Sequence, residues 1–153
     1  MSRDLRSTAA IRGHPIHHLL VPVPIALFVL ALGSDLVFVA KGSDGWAEAS
    51  KWLLGGGLAG AVLAAVTGFT DFAGNARIRE LRDAWLHLFA NVTIVLIEIV
   101  NLLVRLGDER LAGSIGFALS AAAVLLLVFS GWKGGELVYR HGVGQMRGGP
   151  RAS

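Results

Sequence analysis

Cysteine is absent from this chain, and charged residues are scarce. With no cysteine among 153 residues, disulfide bonds, thiolate metal ligands, iron–sulfur ligation and a cysteine nucleophile are excluded. Charged residues make up 16% of the chain, whereas an average soluble domain has about 25%. The sequence also contains no nucleophile–base pair, phosphate-binding loop or nucleotide-binding fingerprint. A stand-alone soluble enzyme is therefore not expected.

The most prominent feature that is present is a set of long apolar runs. Hydrophobic residues make up 54% of the chain, and the mean hydropathy is +0.60. A helix needs about 20 apolar residues to cross a bilayer, and four segments meet this requirement, at residues 19–40, 52–72, 84–106 and 111–132. The last segment has no polar face, which a helix of a soluble bundle would need. The sequence therefore predicts an all-α integral membrane protein, a four-helix bundle with four transmembrane helices.

The length of the chain is that of a single domain. We assign residues 1–141 to the four-span membrane domain and residues 142–153 to a flexible, basic C-terminal tail. The first apolar run lacks a clear small-residue cleavage site, so we expect the N-terminal segment to be retained rather than removed as a signal peptide.

The positions of lysine and arginine predict the direction of the spans. Cytoplasmic loops of membrane proteins carry an excess of these residues. The side that holds both termini and the middle loop would carry Arg3, Arg6, Arg12, Arg77, Arg79, Arg82, Lys133, Arg140, Arg147 and Arg151. The other side would carry only Lys41, Lys51, Arg105 and Arg110. We therefore expect both termini to be cytoplasmic, and we interpret the net charge of +3 as a topology signal rather than a sign of nucleic-acid binding.

All five histidines fall at this same predicted face. They are His14, His17, His18, His87 and His141. Pro15 suits the first position of a helix, with His14 as its N-cap. His17 and His18 then lie three and four residues beyond His14, a spacing that places side chains on one helix face.

Polar residues next to these histidines suit two kinds of cofactor. One is a b-type haem with His17 and His87 as axial ligands, His14 or His141 as substitutes, and Arg77 and Arg79 as partners of the haem propionates. The other is a transition metal, with imidazoles as ligands. The candidate metal ligands are His14, His17, His87, His141 and Asp71. The alternative is that no cofactor is bound and the histidines are interfacial residues whose polar tips stay in water.

A stripe of polar residues runs along the third span. Offsets from His87 place Asn91, Glu98, Asn101 and Arg105 on one face of a helix. Glu98 lies about 16 Å along the axis from His87, near the bilayer centre. Asp35 in the first span is its expected companion, and we expect Arg105 to reach in from the outer surface. An intramembrane acid is a functional candidate, as a proton carrier or as a contact for a quinone or cation. The alternative is a polar clasp that fixes the register of the helices.

Small residues recur every four positions in the second span, at Gly56, Gly60, Ala64 and Gly68. This spacing lets two helix backbones approach closely in lipid. The stripe predicts either a homodimer face or a contact inside the bundle.

Three motifs resemble those of the uncharacterised bacterial membrane family catalogued as domain of unknown function 2231. They are GHPIHHLLVPVPIALF, TDFAGNARIRELRDAWLHLFAN and GGELVYRHGVG. The matching positions are His14, Pro15, His17, Asp71, His87, Tyr139, His141 and Gly142. His18 stands where the family has a second proline, so it is a weak candidate for any shared role.

The resemblance implies a small membrane protein of four helices and supplies no catalytic residues. Relatives fused to Rieske-type or cytochrome-type domains imply redox work in the membrane. The leading functional hypothesis is therefore a b-type-haem redox or electron-transfer subunit of a bacterial inner membrane, with a redox partner protein or a quinone. The alternatives are a non-catalytic membrane subunit or scaffold, and a membrane protein that binds or transports a metal.

Overall fold

The computed structural model is almost entirely helical and describes residues 5, 7–12 and 14–145. Its elements are β1 (Ala10–Ile11), β2 (His14–Pro15), α1 (Ile16–Leu20), α2 (Pro22–Lys41), α3 (Asp44–Gly74), α4 (Ala76–Arg79), α5 (Arg82–Gly107) and α6 (Ile115–Gly135). The two short strands pair antiparallel. A 3-10 helix, Glu109–Gly113, joins α5 to α6, and a π-helical turn, Glu136–Arg140, continues α6.

Four helical stretches are long and apolar enough to cross a membrane. They are Ile16–Lys41, which combines α1 and α2, then Asp44–Gly74, Arg82–Gly107 and Ile115–Arg140. The predicted all-α fold with four membrane-spanning helices is confirmed.

The helices extend beyond the apolar runs where local capping favours it. The helix α3, which is the second of the four spanning stretches, begins at Asp44, well before the apolar run that starts near residue 52. An acidic residue in the first turn stabilises the positive end of the helix dipole. Before it, Gly42 ends α2 in the left-handed conformation, with φ of 66°, which glycine adopts without steric cost. Hydropathy marks the lipid-embedded part of a helix and not its ends.

The distribution of polar and apolar residues is the reverse of that in a soluble protein. Leu125 and Trp132 are 73% and 71% exposed. Asp35, Glu98 and Arg105 are completely buried. Charged side chains in transmembrane helices face the bundle interior, and apolar side chains face lipid. This arrangement suits four helices surrounded by hydrocarbon.

Arg105 is the centre of a buried polar network that joins four helices. Its guanidinium forms a fork with the carboxylate of Asp35 on α2, with Nη1–Oδ1 and Nη2–Oδ2 distances of 2.6 and 2.8 Å. Nη1 also donates to Ser50 Oγ on α3, at 2.5 Å. Nη2 donates to Ser120 Oγ on α6, at 2.9 Å. Nε donates to Asn101 Oδ1 within α5, at 2.9 Å.

This network fixes the rotation and register of the helices. All five N–H groups of an arginine have an acceptor here, and every residue bonded to Arg105 is fully buried. A rotation of any of the four helices would leave a charge or a hydroxyl unpaired, which is costly in a low-dielectric interior. Gly116 leaves the space that the guanidinium fills, because a Cβ there would lie 3.1 Å from Nη2.

The predicted small-residue stripe of α3 packs against the first span of the same chain. A Cβ on Gly60 would lie 3.3 Å from Pro24 and Val23, and one on Gly68 would lie 2.8 Å from the His17 ring. Ala64 is buried at the same contact, and Gly56 faces Leu27 at 3.4 Å. The helices α1 and α2 therefore pack on this stripe, which the sequence predicted to be either a homodimer face or a contact inside the bundle.

The first and the last described segments of the chain meet at one end of the bundle, here called the terminal end. Leu5, Ile78, Ala84 and Leu137 form a buried cluster there, with Val143 packed against it. Gly144 N–H donates to the Leu5 carbonyl at 2.9 Å. The first residues of the predicted tail, 142–145, are therefore held on the bundle, and residues 146–153 of that tail lie outside the described part of the chain. The other end, with the α2–α3 turn and the 3-10 helix, is called the opposite end.

Gly57 gives a direct test of the helix packing in the bundle centre. A Cβ on Gly57 would lie 2.5 Å from Cε1 of Phe28, whose side chain is buried in the main core cluster. We expect Gly57→Ala to destabilise the protein by about 1–3 kcal/mol through overpacking, measured by thermal unfolding in detergent. Gly55→Ala is the matched control, since Gly55 faces open space and alanine favours the helix by about 1 kcal/mol. Equal melting temperatures for the two variants would contradict this packing.

Arg105→Met tests the buried ion pair. The substitution leaves the Asp35 carboxylate uncompensated in the interior, so we expect a loss of about 3–5 kcal/mol in stability, measured by thermal unfolding in detergent. The control is Arg110→Ala. Arg110 pairs with Asp44, and the two side chains are 75% and 67% exposed, respectively. Exposed ion pairs contribute little to stability. A melting temperature of Arg105→Met close to that of Arg110→Ala would show that the pair is not structural.

Candidate functional site

The candidate site is a cluster of histidines at the terminal end of the bundle. His17 and His18 lie on α1, and His87 lies in the second turn of α5. The cluster is completed by the last turns of α3 and α6. Its position follows from the antiparallel order of the helices, which brings the start of the first and third spans to the end of the second and fourth.

His17 is held against α3 by its ring. Its Nδ1 lies 2.8 Å from the main-chain carbonyl of Ala64. Because a carbonyl oxygen only accepts, Nδ1 carries a proton and donates it to this carbonyl. The ring fits because Gly68, one turn further along α3, has no side chain. Pro15 precedes α1 in an extended conformation, with φ of −62° and ψ of 121°, and so sets the start of this short helix.

His87 is held in the same way against α6. Its Nδ1 lies 2.9 Å from the main-chain carbonyl of Ser130 and 3.1 Å from its hydroxyl. Gly134 lies against the ring, where a Cβ would be 3.1 Å from Cε1. The Asn91 amide donates to the His87 carbonyl and to Ser130 Oγ, each at 2.7 Å, and its nitrogen also lies 3.2 Å from His87 Nε2.

The rings of His17 and His87 lie next to each other in an edge-on arrangement. Their centres are 6.3 Å apart, and their planes are nearly perpendicular at 87°. His18 is the third ring, 6.0 Å from His17. Gly144 packs on His18, since a Cβ there would lie 2.9 Å from its Cε1. His18 was a weak candidate in sequence because it departs from the family pattern, and the structure places its ring beside that of His17.

The other predicted ligands have partners elsewhere. His141 Nε2 lies 3.0 Å from Asp83 Oδ2, and His14 is exposed in β2. The Asp71 carboxylate accepts hydrogen bonds from Ser7 Oγ at 2.7 and 2.8 Å and from the Ala9 N–H at 2.8 Å. In this arrangement Asp71 fastens the N-terminal segment to the end of α3.

The two predicted arginines lie on α4, also at the terminal end. Both are exposed. The Arg79 guanidinium donates to the carbonyls of Phe72, at 3.2 Å, and Ala73, so it caps the end of α3. The Arg77 main chain donates to the Asn75 side chain at 3.1 Å.

The structure also shows a charged group that sequence reasoning missed. Lys133 Nζ lies 3.0 Å from Asp83 Oδ1 and 2.5 Å from Glu136 Oε2, next to the Asp83–His141 pair. The spacing of Lys133 and Glu136 along one helix could have indicated their contact. Nothing local in the sequence connects Asp83 to the end of the fourth span.

The cluster offers imidazole nitrogens and few other donors. In residues 5, 7–12 and 14–145, no group of three or more His, Asp or Glu side chains is placed to hold a metal ion. What the site provides is a pair of imidazoles from two helices, each with its Nδ1 proton donated to a main-chain carbonyl. Such a pair can contribute two nitrogen ligands to a centre whose remaining ligands come from elsewhere.

Comparison with known proteins agrees with the architecture. A family model described as "Predicted membrane protein (DUF2231)" matches residues 13–147. No curated protein and no solved structure gave a match. The family match covers all four spans and every histidine of the cluster, so the predicted family resemblance is confirmed: the chain belongs to the DUF2231 family of predicted membrane proteins.

Proposed function

We propose that this protein is a small redox or electron-transfer subunit of a bacterial inner membrane that binds one b-type haem between His17 and His87. The observation that carries the proposal is the pair of adjacent imidazoles, each fixed through Nδ1 to a main-chain carbonyl. Histidines that bind metals commonly donate their other ring N–H to a carbonyl or carboxylate, which sets the tautomer and the ring orientation.

The spacing of the two rings supports ligation on opposite sides of one iron. With metal–nitrogen bonds of about 2 Å, two imidazoles opposed across a metal have ring centres roughly 6 Å apart. The separation of His17 and His87 is 6.3 Å. At this separation His17 and His87 could hold one haem iron between them, whereas a tetrahedral metal centre would bring the rings closer together.

The surroundings of the pair also fit this role. Asn91 can release His87 Nε2 and still donate to the His87 carbonyl and Ser130 Oγ. Arg77, exposed on α4 at the same end, is a candidate partner for the propionates. A bound haem would supply an iron that accepts and passes on single electrons. All five histidines lie at the terminal end, so the chain provides ligands for one haem.

A second candidate function is a site for a transition-metal ion without haem. The position of His18, 6.0 Å from His17, favours it, because two neighbouring imidazoles are nitrogen donors of the kind that copper, nickel or zinc prefers, with the remaining ligands supplied from outside the cluster. In that case the protein would bind or transport the metal. Without either cofactor, it would act as a non-catalytic membrane subunit.

The absorption spectrum of the detergent-purified protein, from haem-replete cells, tests the first candidate. We expect a Soret band, and sharp α and β bands after reduction with dithionite. His87→Ala should lose these bands because it removes one axial ligand. His141→Ala is the matched control and should keep them, since His141 pairs with Asp83 outside the site.

Two outcomes would contradict the haem proposal. A flat visible spectrum from protein that elutes as a single folded species would exclude haem. Stoichiometric metal in elemental analysis, lost in His17→Ala and without a Soret band, would establish the metal site in its place.

We further propose that both termini and the α4 loop face the cytoplasm, because ten of the fourteen lysines and arginines fall on that side. The absence of cysteine makes single-cysteine labelling a clean test. In right-side-out spheroplasts, a membrane-impermeant maleimide should label Ser43→Cys, and should label Glu80→Cys only after permeabilisation. Both positions are exposed, at opposite ends of the bundle. The reverse pattern would mean that the termini lie outside the cytoplasm.

A further inference from the structure

Glu98 is a buried acid with one oxygen that has no partner. It lies on α5 in the middle of the bundle and is completely buried. Its Oε2 accepts a hydrogen bond from Asn101 Nδ2 at 2.9 Å. Its Oε1 contacts no hydrogen-bonding group in the described part of the chain. A buried polar atom without a partner requires an explanation, since nearly all such atoms in folded proteins are paired.

The guanidinium of Arg105, the nearest positive charge, already has an acceptor for each of its N–H groups. Arg105 donates all five of its N–H groups to Asp35, Ser50, Ser120 and Asn101. The fork with Asp35 balances one positive and one negative charge. Glu98 is therefore a third ionisable group in a network whose charge is already neutral.

The remaining neighbours do not supply a counter-charge. Arg105 on its own helix and Asp35 on α2 are the charged groups that act on Glu98. The helices α3 and α6 contribute to this network the neutral hydroxyls of Ser50 and Ser120. An ionised Glu98 would place two carboxylates against one guanidinium inside the bundle, and an unpaired buried charge is so costly that such groups take up a proton instead.

The hydrogen-bonded network that contains Glu98 extends toward an open cavity at the opposite end of the bundle. The cavity has a volume of about 390 Å³, and its lining includes Asp44, Asp108, Glu109, Arg110 and Arg105. Arg105 is bonded to Asn101, which is bonded to Glu98. Seven residues of helix separate Arg105 from Glu98, a distance of about 10 Å along the axis.

We propose that Glu98 is a proton-binding site inside the membrane, occupied by a proton at neutral pH and served by the cavity at the opposite end of the bundle. The ligand is a proton rather than a metal cation, because no group of three or more His, Asp or Glu side chains in residues 5, 7–12 and 14–145 is placed to hold a metal ion. The site is independent of the histidine cluster, which lies about 16 Å away along α5.

The test compares the two buried acids in the same protein. Dicyclohexylcarbodiimide, which enters membranes and reacts with protonated carboxyl groups, is added to the full-length protein in detergent, and the product is mapped by mass spectrometry. We expect modification at Glu98 and none at Asp35, with a yield that falls as the pH rises. Modification at Asp35 instead, a yield that does not depend on pH, or protection of Glu98 by sodium ions would each overturn the proposal.

Infrared spectroscopy decides the protonation state even where the reagent fails to reach the site. We expect a carbonyl band of a protonated carboxylic acid at neutral pH that disappears in Glu98→Gln. The folded yield of Glu98→Gln should match that of the unaltered protein, since glutamine imitates the neutral acid, whereas Asp35→Asn should lower it. Absence of the band in the unaltered protein would overturn the proposal.

Discussion

The cost of placing charge in hydrocarbon is the constraint on which this structure depends. The fork between Arg105 and Asp35 satisfies it directly, with both side chains completely buried. A buried pair of this kind contributes little net stability compared with apolar residues of similar volume, but breaking it is expensive. Its effect is therefore selective: it penalises every arrangement of α2 and α5 other than the one in which the two groups meet.

The polar groups of the bundle form two layers with different properties. The layer around Arg105 is dry and ionic, and its hydrogen bonds join α2, α3, α5 and α6. The layer at the terminal end is built from imidazoles and main-chain carbonyls and lies beside the exposed residues of α4. The first layer fixes the scaffold. The second retains nitrogen atoms that can bind a ligand, as expected of a site held on rigid elements.

Much of the fold could be predicted from hydropathy, because apolar run length reports directly on membrane spans. The polar stripe on α5 could also be predicted from helical periodicity, and it does face inward. Which polar side chains pair with one another could not be predicted. Glu98 was expected to pair with Asp35, with Arg105 reaching in from the outer surface. In the structure Arg105, about two turns along α5 from Glu98, pairs with Asp35, and Glu98 bonds to Asn101 instead. Asp71 was a candidate metal ligand. In the structure its carboxylate oxygens accept hydrogen bonds from Ser7 and Ala9 in the N-terminal segment. Contacts between residues so far apart in the sequence leave no periodic signal. Such contacts also determine which histidines, like His141, are already bonded to another side chain.

A double-mutant cycle measures most directly whether charge pairing organises the bundle. The unfolding stabilities of Asp35→Asn, Arg105→Gln and the double variant would be compared with that of the unaltered protein in the same detergent. We expect the two substitutions to be strongly non-additive, so that the double variant is no less stable than the worse single variant. The coupling free energy should lie at or above the upper part of the usual range of about 0.5–3 kcal/mol. Additive losses would show that the two side chains contribute separately, and the fork would then not be the interaction that sets the arrangement of the helices.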